Sequence, residues 1–265
     1  MQQKISMVHL YPDDMNLYGD GGNVIAYQRR CEWRGIDFQV RNVNVGDAVD
    51  FSDVDIIFMG GGQDSGQKIV AEDLLEKGED IKNEVDKGLP ALLICGGFQL
   101  FGNYFETADA VRIPGIGIFD AYTIAGEKRF SGNMVVDITP VALEWEGRFG
   151  LNRDTSRQVT LVGFENHSGQ TFLKGNTKPL GRVVCGYGNK GDSGHEGAVY
   201  KNAIGTYLHG SVLPKNPYLA DHLILAALCR RYGKVKPLSC INDTIEMAAH
   251  QAAEKRCERI KTLSI

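Results

Sequence analysis

Residues 89–105, LPALLICGGFQLFGNYF, limit what this chain can become more than any other stretch. Leu92, Leu93 and Ile94 form an apolar run behind Pro90, long enough for a buried strand and too short for a helix. Cys95, Gly96 and Gly97 follow at once, and aromatic and leucine residues then recur at helical spacing over residues 98–105. Strand, cysteine, Gly-Gly, helix is the order of a nucleophile elbow, in which a sharp turn presents one side chain at a strand tip. Gly96 and Gly97 are what such a crowded reversal needs. Cys95 would then stand at a helix N-terminus, where partial positive charge favours thiolate over thiol. A buried structural cysteine is the competing reading, but it leaves the two glycines without a reason.

The rest of the chain supplies the frame. Residues 5–10 read as a first strand, followed by a loop to residue 23 and an amphipathic helix over 24–34 that Gly35 stops. Residues 38–45 alternate like a strand, and 54–59 form an apolar strand that runs into Gly60-Gly61-Gly62. A long polar helix is predicted over 67–87. Strands alternating with helices imply an α/β fold with a mostly parallel sheet covered by helices on both faces. Functional loops then gather at the carboxyl ends of the strands, where both glycine-rich turns and Cys95 fall.

From residue 115 to 205 helical periodicity disappears. Short pieces at 134–138 and 159–162 predict an antiparallel β extension, with 144–156 as a loop or insertion. Residues 203–207 return to strand ahead of His209, and Asn216-Pro217 opens a helix to about residue 232. A charged helix over 241–261 carries only a weak apolar stripe. We expect a main domain over 1–236 and a helical extension over 237–265.

Composition excludes several classes. The 265 residues are 43% hydrophobic and 23% charged, as in an ordinary globular protein. A net charge of -4 offers no footprint for nucleic acid. The longest apolar candidate, residues 223–229, has seven residues where a membrane span needs about 20. The N-terminus, MQQKISMVHLYPDD, lacks the apolar core of a signal peptide, so a cytoplasmic location is expected. Six cysteines without a C-x-x-C pair predict reduced thiols, no disulfide framework and no metal. GDGGNV at 19–24 lacks the third glycine of a dinucleotide loop, and no phosphate-binding G-x-x-x-x-G-K-[ST] occurs, so no cofactor is expected on this chain.

A cysteine nucleophile needs a base brought from far away in sequence. His209, in GTYLHGSVLPKNP, and His167, in GFENHSG, both follow predicted strands. His9, His195, His222 and His250 read as core or surface residues. Acyl transfer also needs an oxyanion hole, and backbone N–H groups in the Gly60-Gly61-Gly62 turn, those of Gly61 and Gly62, with that of Gly96, suit it. Asp20 and Glu165 are candidates to orient the base.

ICGGFQ resembles the nucleophile motif of class I glutamine amidotransferases, G-x-C-x-G-x-Q, with Leu93 in place of the first glycine as in the cobyric-acid-synthase-like branch. NLYGD at 16–20, KRFSGN at 128–133, GFENHSG at 163–169 and YLHGSVLPKNP at 207–217 resemble the GatD family. Its members are glutaminase subunits of lipid II isoglutaminyl synthase that work with a Mur-ligase-like subunit, MurT. The resemblance spans nearly the whole chain. It implies a flavodoxin-like sheet, Cys95 as nucleophile, His209 as base and Arg129 as the group that binds glutamine. A guanidinium fork suits the glutamine α-carboxylate. The glutamate found two residues after the histidine in many amidotransferases is Ser211 here, which implies a Cys-His dyad. The resemblance also implies a heterodimer, ATP and magnesium on the partner, and ammonia delivered to the D-glutamate α-carboxyl of the peptidoglycan stem peptide. An amidotransferase of corrinoid amidation and a free-standing γ-glutamyl thiol hydrolase are the alternatives.

Overall fold

Two apolar runs, Ile56–Met59 and Ala91–Ile94, are buried at every residue, so both faces of these strands are covered. The computed structural model describes residues 2–149 and 158–263. The first half of the chain runs β1 (Lys4–Leu10), α1 (Gly21–Glu32), β2 (Asp37–Val43), β3 (Ile56–Met59), α2 (Asp64–Asp86), β4 (Ala91–Ile94) and α3 (Gly96–Leu100). Next come β5 (Tyr104–Glu106), β6 (Arg112–Pro114), β7 (Ala121–Asp137), α4 (Thr139–Phe149) and β8 (Thr160–Leu173). The chain closes with β9 (Gly181–Cys185), β10 (His195–Glu196), β11 (Ala198–Tyr200), β12 (Ala203–Thr206), α5 (Pro217–Tyr232) and α6 (Thr244–Leu263).

The first sheet has the order β11-β12-β4-β3-β1-β2 and is parallel except for β11, which runs antiparallel to β12 at the edge. The chain moves outward from β1 to β2, then crosses to β3 on the other side of β1. The loops after β1 and β3 therefore splay apart at a topological switch point, where such sheets open a crevice. Loops after β4 and β12 stand beside it. This order brings Asp20, Gly60 to Gly62, Cys95 and His209 to one end of the sheet.

The expected β extension is a second sheet, ordered β10-β9-β7-β5-β6 with β8 paired to β7. It is antiparallel apart from β5 beside β7. The β7–β8 ribbon slips register between the pairs Ala125↔Gly169 and Phe130↔His167, so residues 126–129 bulge opposite Ser168 alone. That bulge carries Arg129.

Three expectations are corrected. The helix predicted over 98–105 stops at Leu100, because the Asn103 N–H donates to Ala121 O at 2.7 Å and the chain leaves as β5. Residues 144–149 are helix rather than loop, since Val141, Ala142 and Trp145 bury one face of α4 and Trp145 stacks on His222 at 3.8 Å; residues 150–156 lie outside the described residues. Cys185 and Cys257, 72 residues apart, are joined as a disulfide, where only reduced thiols were expected.

Helix α6 packs on β7, β8 and β9. His250 anchors it, donating from Nδ1 to Lys215 O at 2.8 Å, with Nε2 2.9 Å from Thr160 Oγ1. Arg30 holds Asp221 at 2.7 Å and Asp243 at 2.6 Å, which ties the start of this segment to α1 and α5. No helix among the described residues is long and apolar enough to cross a membrane.

Candidate active site

Cys95 leaves β4 with φ 50° and ψ -103°, a left-handed conformation that non-glycine residues rarely adopt. Such a residue costs about 1–3 kcal/mol and persists only where the surroundings over-determine it. Here they do. The Cys95 N–H donates to Thr206 O on β12 at 2.8 Å, the Gln99 N–H donates to Cys95 O at 2.9 Å, and the Gly97 N–H donates to Gly60 O at 3.2 Å. The cysteine is 9% exposed and lines a cleft. Helix α3 is five residues long, so the local N–H groups of one turn face the thiol rather than a long helix dipole.

Gly96 is required by close approach. A Cβ there would stand 2.9 Å from Gly62 N and 3.1 Å from Gly62 O. The Gly62 backbone thus packs against the residue that follows Cys95, and no hydrogen bond of the Gly62 or Gly96 N–H is found among the described residues. Gly61 differs from expectation. Its N–H donates to Asp20 Oδ2 at 2.7 Å, so it is committed to the protein and not offered to a ligand.

His209 is completely buried and lines the same cleft as Cys95. Its Nδ1 faces Asp20 Oδ1 at 3.6 Å. Burial by itself would lower the His209 pKa, but the charges of Cys95 and Asp20 beside it outweigh burial and hold the value up to about 10. One carboxylate thus faces the histidine with one oxygen and accepts from the Gly61 N–H with the other. Ser211 occupies the position where many amidotransferases carry glutamate, and its hydroxyl donates to Gly19 O at 2.6 Å. That bond pins the His209 loop to the Asp20 loop.

Glu165 does not reach this pair. It accepts from the N–H groups of Tyr187 at 2.7 Å and Gly188 at 3.0 Å, and it faces His167 Nε2 at 3.6 Å. His167 is tied differently from His209: its Nδ1 donates to Gly169 O at 2.7 Å, and its ring stacks on Tyr207 at 3.7 Å. Glu196 steadies the approach to His209 by accepting from Thr206 Oγ1 at 2.7 Å and the Tyr207 N–H at 2.6 Å. Burial, with a further push from Glu165, raises its carboxyl to about 7 against these bonds.

The cleft holds about 350 Å³ and collects Cys95, His209, Gly61, Gly62, Arg129 and His167 from both sheets. Such a volume suits a small molecule. Arg129 stands on the bulge of β7, and its Nε donates to Asn166 Oδ1 at 2.6 Å. Asn166 was not singled out in the sequence, although it lies inside the GFENHSG motif. Gln67, also in the lining, was missed altogether, because a glutamine within a polar helix carries no local signal. No cluster of three or more metal-ligating side chains occurs among the described residues.

Residues 6–217 match the family described as the CobB/CobQ-like glutamine amidotransferase domain. The chain is 36% identical over 258 residues to the lipid II isoglutaminyl synthase (glutamine-hydrolyzing) subunit GatD of Staphylococcus aureus, covering 97% of this chain and 98% of that protein. It is 39% identical over 243 residues to the subunit of the same name from Streptococcus pneumoniae, covering 91% of this chain and 87% of that one. A probable cobyric acid synthase of Methanothermobacter thermautotrophicus is 32% identical over 233 residues, with 85% of this chain but 42% of that protein covered.

Proposed function

The chain belongs to the CobB/CobQ-like glutamine amidotransferase family, and from that premise we propose that it is the glutamine-hydrolysing subunit of a lipid II isoglutaminyl synthase. The observation that carries the chemistry is Cys95, held at a positive φ beside His209 with Asp20 behind it. The Cys95 thiolate attacks the side-chain amide carbon of L-glutamine. The oxyanion that forms is met by the N–H groups of Gly62 and Gly96, which stabilise charge because they are already in place. His209, as imidazolium, gives its proton to the departing nitrogen, and ammonia leaves. Neutral His209 then takes a proton from water, which attacks the γ-glutamyl thioester, and glutamate departs as the Cys95 thiolate returns.

Asp20 makes this a triad in function, filling the role of the glutamate that Ser211 replaces. It favours the imidazolium and fixes which ring nitrogen faces Cys95. Raised above the ordinary 6.5, the His209 proton contributes stability that is complete below about pH 6.5 and is lost as pH rises through about 10. The imidazolium is also the acid that expels ammonia, so the rate should fall at alkaline pH. Asp20→Asn should move that alkaline limb toward neutrality, as read from the pH profile of kcat/KM. An unmoved limb would remove Asp20 from this role.

In this reading Arg129, which lines the cleft, holds the glutamine α-carboxylate. Losing a hydrogen bond to a charged group should raise the glutamine KM of Arg129→Ala about tenfold or more. Arg129→Lys keeps charge but not the planar fork, so it should fall between. A KM equal to that of the parent in Arg129→Ala would place the carboxylate elsewhere.

The ammonia is passed to a Mur-ligase-like partner of the MurT type, which carries ATP and magnesium and amidates the D-glutamate α-carboxyl of lipid II. The test is reconstitution. ATP-dependent amidation of lipid II from glutamine should require both chains, and failure of the two to form a complex would overturn the two-subunit reading.

A further inference from the structure

Cys95 and His209 arrive on neighbouring strands. Cys95 follows β4 and His209 follows β12, and these strands pair in parallel with Thr206 opposite Ile94. A Cβ on Gly61 would stand 2.8 Å from His209 Cε1 and 3.4 Å from Cys95 Cβ, so the two side chains flank one point. The ladder fixes the cysteine, whose N–H donates to Thr206 O at 2.8 Å. It does not fix the histidine in the same way, because β12 ends at Thr206, three residues before His209.

Glu196 takes over where the strand stops. It comes from β10 in the second sheet and is completely buried. Its Oε1 accepts from the Thr206 hydroxyl at 2.7 Å and from the Tyr207 N–H at 2.6 Å. With its hydrogen given to Glu196, Thr206 Oγ1 still has lone pairs, and it accepts from the Leu208 N–H at 3.0 Å. The His209 N–H donates to Phe164 O at 2.7 Å. Of the three N–H groups from Tyr207 to His209, two therefore depend on one carboxylate oxygen, directly or through the threonine. The Tyr207 side chain is tied to the elbow helix, its hydroxyl accepting from Gln99 Nε2 at 3.2 Å, while Gln99 Oε1 accepts from Gln67 Nε2 at 2.9 Å. Glu196 is itself anchored. The next residue, Gly197, donates to Asn189 Oδ1 at 2.7 Å and accepts from Asn189 Nδ2 at 3.0 Å. Neither Glu196 nor Thr206 lines the cleft.

We propose that Glu196 is a positioning residue for the glutaminase reaction: through Thr206 and Tyr207 it sets His209 against Cys95. It acts on the chemical step rather than on glutamine binding, because it reaches the histidine and not the cleft. This assignment rests on the glutaminase reading above.

The test measures kcat and the glutamine KM of the full chain with its ligase partner. The kcat is counted per Cys95 labelled to completion by a glutamine-like electrophile, so misfolded protein does not enter it. Glu196→Asp keeps the charge but is one methylene short of its two donors. It should lower kcat about tenfold or more with KM within about twofold, since a displacement of about 1 Å can cost 10²-fold. Thr206→Val keeps the branched shape, removes the hydroxyl and should act alike. Thr206→Ser restores the hydroxyl and should return kcat to within about threefold of the parent. A parent kcat in Glu196→Asp or Thr206→Val, a raised KM at unchanged kcat, or a serine variant as slow as the valine one would overturn the assignment. Should Glu196→Asp fail to fold, Thr206→Val against Thr206→Ser still decides. A parent protein that hydrolyses no glutamine would instead remove the glutaminase reading, and this inference with it.

Discussion

Cys95→Ala is expected to abolish glutamine hydrolysis while leaving the fold intact. Nothing else in the cleft can make the thioester, and the other described thiols stand apart from it. Cys31 is buried, and burial pushes its thiol up to about 12, so it offers no thiolate at neutral pH. Cys229 and Cys240 lie outside the cleft lining. A glutamine-like electrophile should therefore label Cys95 alone. In the reconstituted complex, Cys95→Ala should still amidate lipid II when ammonium salt replaces glutamine, because the ligase half is untouched. The backbone adds an independent readout. At φ 50°, alanine keeps the strain that glycine relieves, so Cys95→Gly should be more stable than Cys95→Ala by roughly 1 kcal/mol although both are inactive. Retention of a tenth of the parent activity by Cys95→Ala would remove it as nucleophile.

The second large effect falls on the base. His209→Ala should cost about 10²–10⁴-fold in kcat, the range of a lost general acid–base group. His167 provides the internal control, since it lines the same cleft and also follows a strand. Its Nδ1 is spent on Gly169 O and its Nε2 faces Glu165. His167→Ala should then cost far less than His209→Ala, and mainly through KM by loosening the wall near Arg129. The reverse ranking would transfer the acid–base role to His167.

The sheet was legible because its signals are local. Short apolar runs ended by glycine, such as Ile56–Met59 before Gly60 and Ala91–Ile94 before Cys95, report buried parallel strands through hydrophobicity and backbone freedom alone. Helix α5 was placed from Asn216-Pro217 for the same reason. Prediction failed where a neighbour in space overruled the pattern. The helical spacing over 98–105 lost to the pairing of Asn103 with Ala121, and α4 was hidden because its apolar face is matched by α5, not announced by its own periodicity.

The sequence by itself determined the elbow, the candidacy of Cys95, the two histidines in contention and the glycine turn after the preceding strand, since each is a residue type at a spacing that one backbone geometry demands. Only the tertiary structure showed that Asp20 faces His209 and Glu165 faces His167, that the Gly61 N–H is bonded to Asp20, and that Gln67 meets Gln99 across 32 residues of chain. The physical reason is that hydrogen bonds and charges act over a few ångströms of space. Strand order, set by burying both faces of one sheet, brings together side chains whose separation along the chain leaves no trace in local pattern.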